Sequence, residues 1–359
     1  MNEKKKRIQK IVLWVLGILL ALLILGGIGA WIYVHALLGR LNRPEPEPVP
    51  TQQETLATVP TLEQVTEPPA TTAAPTEPPE PEGDYKTNVL VIGQSYREGE
   101  ETKLADSIIL ITVDRKTDTV TITSFLRDLY IQMPHYKGHM CGQNRINVVY
   151  NLGWHWGGLY GGMEMMDMCL QQNFGVQVDH NVEIGFDTFS ALVDGVGGID
   201  LEITEQEAAY LNLYYEQRED LSRHYEAGQT HLDGDAALCY ARIRKIDSDI
   251  ARTERQRKVI EVLLDRCRNL SSLELTGLLY NLAPMVITDM SDDEILSLFW
   301  DVIRMLPRMK IESAMCPAPG TSWGKLIPLG GYMSGVIECN VQKNKEILVE
   351  RCEVPEPTE

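Results

Sequence analysis

Residues 11–34, IVLWVLGILLALLILGGIGAWIYV, contain no charged side chain. These 24 residues exceed the ~20 that a helix needs to cross the hydrocarbon of a bilayer. A cleaved signal peptide would carry a shorter apolar core, ~7–15 residues, followed by a small-residue cleavage site that this sequence lacks. The segment therefore predicts an uncleaved single-pass anchor over residues 11–35. Lys4, Lys5, Lys6, Arg7 and Lys10 precede it, so residues 1–10 are expected in the cytoplasm and everything beyond the anchor outside the cell membrane.

The next stretch cannot fold either. From Pro44 to Asp84 the chain has nine acidic residues, no basic one and no aromatic, and it is dense in Pro, Thr and Glu. Such a composition buries too little apolar surface to offset the entropy of ordering it. Residues 36–84 thus read as a spacer, and proline-rich chain extends by up to ~3.1 Å per residue. The foldable part is confined to residues 85–352, with 353–359 as a tail. The formal net charge of -18 repels a phosphate backbone and argues against nucleic acid as a partner. Seven cysteines, all within the expected extracytoplasmic part, leave at least one thiol unpaired, and no CxxC pair suggests zinc or thiol-redox chemistry. A bridge such as Cys339 with Cys352 and buried free thiols are both compatible with the sequence.

Within the foldable part, TNVLVIG reads as a buried strand, and SIILITVDRKTDTVTITSF as two strands joined by a turn at Asp114 to Thr119. A helix is expected near Gly162 to Phe174. HNVEIGF, DTFSALVDGV and GIDLEI follow as strand, helix and strand, and Glu205 to Arg223 adds helix at an edge. Asp233 is placed to cap a short helix, and DDEILSLFWDVIRML is a later one. Strands alternating with helices imply a layered α/β domain.

Cations gather in YARIRKIDSDIARTERQRKV, residues 240–259, despite the acidic total. Tyr240 to Lys245 alternates like an extended segment, which would put Arg242 and Arg244 on one face. A helix is expected from about Ser248 or Asp249, with Arg252, Arg255 and Gln256 in its first turns, where free N–H groups and the dipole favour an anion. Together these residues suit a di-anion such as pyrophosphate; a surface ion-pair network is the alternative. Asp106 opens the second strand and Arg127 follows the third, so a hairpin should bring them together, either as a structural salt bridge or as holders of Mg²⁺ and a phosphate oxygen. His135, His139 and Cys141 lack a fourth ligand for a metal. Trp154 and Trp156 fit either a sugar platform or a packed loop base. GxSxG, GxxxxGK[ST] and GxGxxG are absent, so hydrolase, P-loop and dinucleotide readings lack their marks.

TNVLVIG, SFLRDLY, NRINVVY, FDTFSALVDGVGGIDLEI, GQTHLDGDAALCYARIR and RTERQRKVI, with TDMSDDEIL, resemble the LytR-CpsA-Psr family of cell-envelope proteins. The resemblance implies a three-layer α/β/α sandwich with a central mixed sheet and an apolar pocket for a prenyl chain. It also implies a phosphotransferase that moves a teichoic acid or capsular polysaccharide from a polyprenyl-pyrophosphate carrier in the membrane lipid to peptidoglycan. On that basis Asp106, Arg127, Arg242 and Arg244 are the catalytic candidates, and Arg145, Asn147, Arg252, Arg255 and Gln256 bind substrate. Mg²⁺ would sit on Asp106 and on Ser95, which stands where the family usually has a second aspartate. Leu104 replaces an expected arginine, and Ile250 and Ala251 replace Phe-Gly. A neutral hydroxyl weakens a cation site, so a non-catalytic lipid- or wall-binding module and a pyrophosphatase are the alternative readings.

Overall fold

The computed structural model describes residues 39–40, 85–94, 103–247, 249–329 and 331–353. The expected anchor over 11–35, the spacer over 36–84 apart from Gly39 and Arg40, Ser95, Ser248 and the last six residues lie outside the described residues. Among the described residues no helix is long and apolar enough to cross a membrane.

Near-continuous apolar runs make strands that are covered on both faces. β1 (Lys86–Gln94) and β2 (Ala105–Asp114) contain such runs, and β3 (Thr119–Phe125) alternates Thr with Val and Ile but is buried throughout. β1 pairs antiparallel with β2, and β2 with β3 as a hairpin from Asp114 opposite Thr119 to Ile108 opposite Phe125. β4 (Tyr130–Gln132) and β5 (Gln143–Arg145) form a small separate ladder. β6 (His180–Ile184) runs parallel to β1, which makes the sheet mixed, and β7 (Ile199–Ile203) and β8 (Gly228–Leu232) pair apart from it. β9 (Val286–Thr288) and β10 (Lys310–Cys316) complete the edges, giving the order β10-β3-β2-β1-β6-β9.

One helical layer is α1 (Asn147–Phe174), which buries Met163, Met166 and Leu170 against Leu90, Ile92 and Leu110 of the sheet. The opposite layer holds α2 (Phe186–Gly195), α4 (Gly234–Ala241) and α5 (Asp249–Arg268), with α3 (Glu205–Glu216) outside them. α6 (Ser272–Leu282) and α7 (Asp292–Met305) follow. The hairpin β11 (Ser322–Leu329) and β12 (Tyr332–Cys339) forms its own sheet, and α8 (Val341–Cys352) closes the chain. Helix starts follow the side chains: Thr204 with Glu207, Ser271 with Glu274 and Ser291 with Glu294 form reciprocal capping boxes, each worth ~1 kcal/mol.

Two expectations are corrected here. The helix expected at Gly162 starts at Asn147 instead, bent at Gly157 and Gly158, where Gly158 takes φ of 65° that favours glycine. Its glycines, which obscure the periodicity, let the two halves approach: a side chain at Gly153 would strike the Gly161 carbonyl. The extended segment expected at Tyr240 to Lys245 is instead the end of α4, which stops at Ala241, followed by a turn. Of the residues that read as alternation, Tyr240 and Ala241 are buried at the end of a short helix and Ile243 is buried just after it. All seven cysteines are free thiols.

Candidate functional site: an arginine-rimmed apolar cavity

Between the sheet and the layer of α2, α4 and α5 lies a cavity of about 440 Å³. The side chains that a covered sheet must turn inward, Val91, Ile109 and Ile111, form its roof, and Leu192, Ile260 and Leu264 its floor. Its polar lining is concentrated in Asp106, Arg242, Arg244, Arg252 and Gln256, with Gln94 and Ser107 beside them. A mostly apolar chamber with a few convergent polar groups is the usual form of a small-molecule site.

The hairpin brings Asp106 and Arg127 together as expected, with Arg127 Nη1 3.2 Å from Asp106 Oδ1. Arg244 Nη2 reaches the same oxygen at 3.3 Å. Thus three residues remote in sequence meet at one carboxylate. Arg242, the residue just after α4, lies with its guanidinium 4.0 Å from the centre of the Phe186 ring, which holds the cation over an aromatic face. Arg252 is 2 % exposed and lines the cavity together with Gln256 one helical turn on.

Arg127 also extends outward. Its Nε lies 3.5 Å from Asp128 Oδ2, and Asp128 Oδ1 lies 3.6 Å from Arg145 Nη1. Arg145 therefore joins the cluster through Asp128 and does not line the cavity. Asn147, the first residue of α1, is buried, and its N–H donates to the Arg127 carbonyl at 3.2 Å, which fixes the backbone under that arginine. SFLRDLY delivers Asp128 to the same strand end as Arg127, and that adjacency is the sequence signal for its place in the cluster.

Arg255 stands apart. Its guanidinium donates to both oxygens of Asp247, at 2.6 and 2.8 Å, to Glu207 Oε1 at 3.3 Å and to the Ile243 carbonyl at 2.8 Å. Burial opposes its charge, but Asp247 and Glu207 outweigh that and raise its pKa, while Arg255 holds the Asp247 carboxyl below its usual range. The structure places this expected substrate ligand in a buried ion pair that ties α5 to α3 and to the turn carrying Arg244.

For a cation, Asp106 offers one anionic oxygen donor group at the cavity, and Ser95 lies outside the described residues. No group of three or more His, Cys, Asp or Glu side chains converges as a metal site among the described residues. One carboxylate fits Mg²⁺, which is commonly held by one or two carboxylates plus the phosphates of a substrate. The other candidates are structural: His135 accepts from the Cys141 N–H at 3.2 Å, His139 stacks on Trp156, and Lys103 lies over Trp154.

Fold and site define a layered α/β protein with an apolar cavity whose rim gathers arginines around one carboxylate. The chain belongs to the LytR_cpsA_psr family, whose sequence profile matches residues 56–346. It is 27 % identical over 293 residues to the polyisoprenyl-teichoic acid–peptidoglycan teichoic acid transferase TagU of Bacillus anthracis, covering 80 % of this chain and 81 % of that one. Among solved structures it shares the fold of a Streptococcus agalactiae protein (TM-score 0.60, 23 % identity, 76 % of this chain and 90 % of that one). It also shares the fold of the LytR-CPS2A-psr protein YwtF (TagT) with bound octaprenyl pyrophosphate lipid (TM-score 0.53, 21 % identity, 76 % and 91 %).

Proposed function

We propose that this chain is a membrane-anchored phosphotransferase that moves a glycopolymer, of the teichoic acid or capsular type, from a polyprenyl-pyrophosphate carrier to peptidoglycan. The observation that carries the reading is the coupling of one apolar cavity to one cluster of guanidiniums at its rim. A prenyl chain gains by leaving water for the cavity, at ~25 cal/mol per Å² of apolar surface buried. The pyrophosphate then lies against Arg242, Arg244 and Arg252, with Arg127 behind Asp106. The name of TagU supports the same substrate pair, and the octaprenyl pyrophosphate on the lipid-bound relative supports the carrier.

In the transfer, a hydroxyl oxygen of the acceptor bonds to the phosphorus on the polymer side, and the bond from that phosphorus to the bridging oxygen breaks. Polyprenyl monophosphate leaves, and the hydroxyl proton passes to solvent. The arginines neutralise charge growing on the leaving phosphate and hold the reacting phosphorus in line. Asp106 positions Arg127 and Arg244, and it would hold Mg²⁺ beside the phosphates. When bound, the cation adds further neutralisation of the leaving group.

Ser95 favours a second reading, a module that binds the lipid without transferring the polymer, because a hydroxyl brings the cation no charge. Full-length protein in detergent, a lipid-pyrophosphate-linked glycopolymer and peptidoglycan separate the two. Covalently linked product supports transfer; tight lipid binding without product, with and without Mg²⁺, would reject it for the binding module.

A further inference from the structure

A second depression, of about 420 Å³, lies between Asp128 and the β11–β12 hairpin. In the register of this hairpin Gly324 stands opposite Ile337, and Leu326 opposite Gly335. Directly opposed residues share a face, so these four form one surface: two bare backbone positions between two aliphatic side chains. Nothing lies within 4 Å of where a Cβ would sit at Gly324 or at Gly335, so the floor is open. Asp128 closes one end. The hairpin is fixed there, since the Ile337 N–H donates to the Asp128 carbonyl at 2.9 Å and Ile337 bridges Leu129.

The groove and the cavity share one side chain. Asp106 lines the cavity, Asp128 lines the groove, and Arg127 is ion-paired to both, at 3.2 and 3.5 Å. A phosphate held at the cavity rim is thus one guanidinium away from whatever ends at Asp128. We propose that the groove between Asp128 and the β11–β12 hairpin binds the acceptor glycan strand, placing its reacting hydroxyl beside Arg127. The proposal rests on the transfer reading above and adds to it the place of the second substrate.

The chemistry of the groove fits a neutral saccharide. Sugar rings present flat C–H faces, which suit the glycine floor and the Leu326 and Ile337 walls, and hydroxyls, which a carboxylate such as Asp128 accepts. A lipid surface fits worse. Seating the hairpin in hydrocarbon would take the ion pair of Lys325 and Glu338, 2.7 Å apart, away from water, and Lys325 itself borders the groove. The acyl-like part of the donor already has an apolar chamber of its own.

Gly324→Val and Gly335→Val test this, because neither glycine has a left-handed φ and both have room, so the variants fold while the floor is filled. With full-length protein in detergent, binding of a soluble peptide-free peptidoglycan glycan fragment and of polyprenyl pyrophosphate is measured by calorimetry. Each valine is expected to weaken the glycan by about tenfold or more, ~1.4 kcal/mol, with lipid affinity held within about twofold. Glycan affinity unchanged in both variants, no glycan binding by the wild type, or a loss confined to vesicle binding would each overturn the proposal. Groove-dependent glycan binding without covalent product would instead reject transfer and leave the groove assignment standing. Product formation indifferent to both valines would do the reverse.

Discussion

Arg255 and Arg244 are both arginines of the same cationic stretch, yet the structure gives them opposite tasks, and Arg255→Met separates them. The Arg255 side chain is 5 % exposed and makes four hydrogen bonds, two of them a bidentate pair with Asp247. Removing one partner of a buried ion pair costs ~3–5 kcal/mol, because the carboxylates left behind lose their counter-charge. Asp247 is 31 % exposed and regains water, and the other oxygen of Glu207 stays bonded to Thr204, so the low end applies. A loss of ~3 kcal/mol in a domain of this size lowers Tm by ~6–12 °C. Arg244→Met removes a side chain that is 43 % exposed and should shift Tm by less than ~2 °C, while weakening polyprenyl pyrophosphate by ~10–100-fold through loss of a charge-assisted contact. Thermal unfolding and lipid titration of both full-length variants read the two quantities separately. If Arg255→Met unfolds with the wild type and loses the lipid, Arg255 is a ligand after all and the ion-pair assignment is wrong.

Asp106→Asn leaves Arg127 and Arg244 without their common anion; transfer should fall by at least ~100-fold, and any stimulation by added Mg²⁺ should vanish in the same variant, as an activity titration would read. Ile260→Trp fills the cavity floor, so affinity for long prenyl pyrophosphates should drop while inorganic pyrophosphate binds as before; equal loss of both would show that the chamber does not take the chain. Burial, with Asp289, Glu164 and Asp179 nearby and against the Asn181 hydrogen bond, pushes the Asp167 carboxyl up to about 7 from 3.8. A raised acid pKa means that the folded state binds the extra proton between these values, so this group's contribution, on the order of a few kcal/mol, is present at low pH and is lost as pH rises from about 4 through 7. Asp167→Asn should therefore flatten the pH dependence of stability in that window, and an unchanged slope in denaturant titrations at several pH values would refute the assignment.

The parts of this molecule that sequence exposes are those whose chemistry is local. The turn from Asp114 to Thr119 fixes a hairpin, and a hairpin of that length must bring Asp106 to Arg127, so that pair is legible in the sequence. Alternation points Arg242 and Arg244 to one face of a strand, whereas the segment is a helix end and turn, and both side chains still reach the cavity. What decides their direction is that Tyr240 and Ile243 are buried on either side of Arg242, which leaves the arginines to face the remaining opening. Arg255 lies off the cavity for a related reason. Helical spacing places it next to Arg252, but which of two neighbours faces the cavity depends on where Glu207 and Asp247 arrive from other elements, and no spacing rule contains that. The C-terminal hairpin was invisible because Gly324, Pro328, Gly331 and Gly335 break the alternation that marks a strand. In two of those same positions, Gly324 and Gly335, the missing side chains open the floor of the groove beside Asp128. A pattern rule that discards glycine as noise thus discards the open floor of this groove, which only the register of the two strands defines.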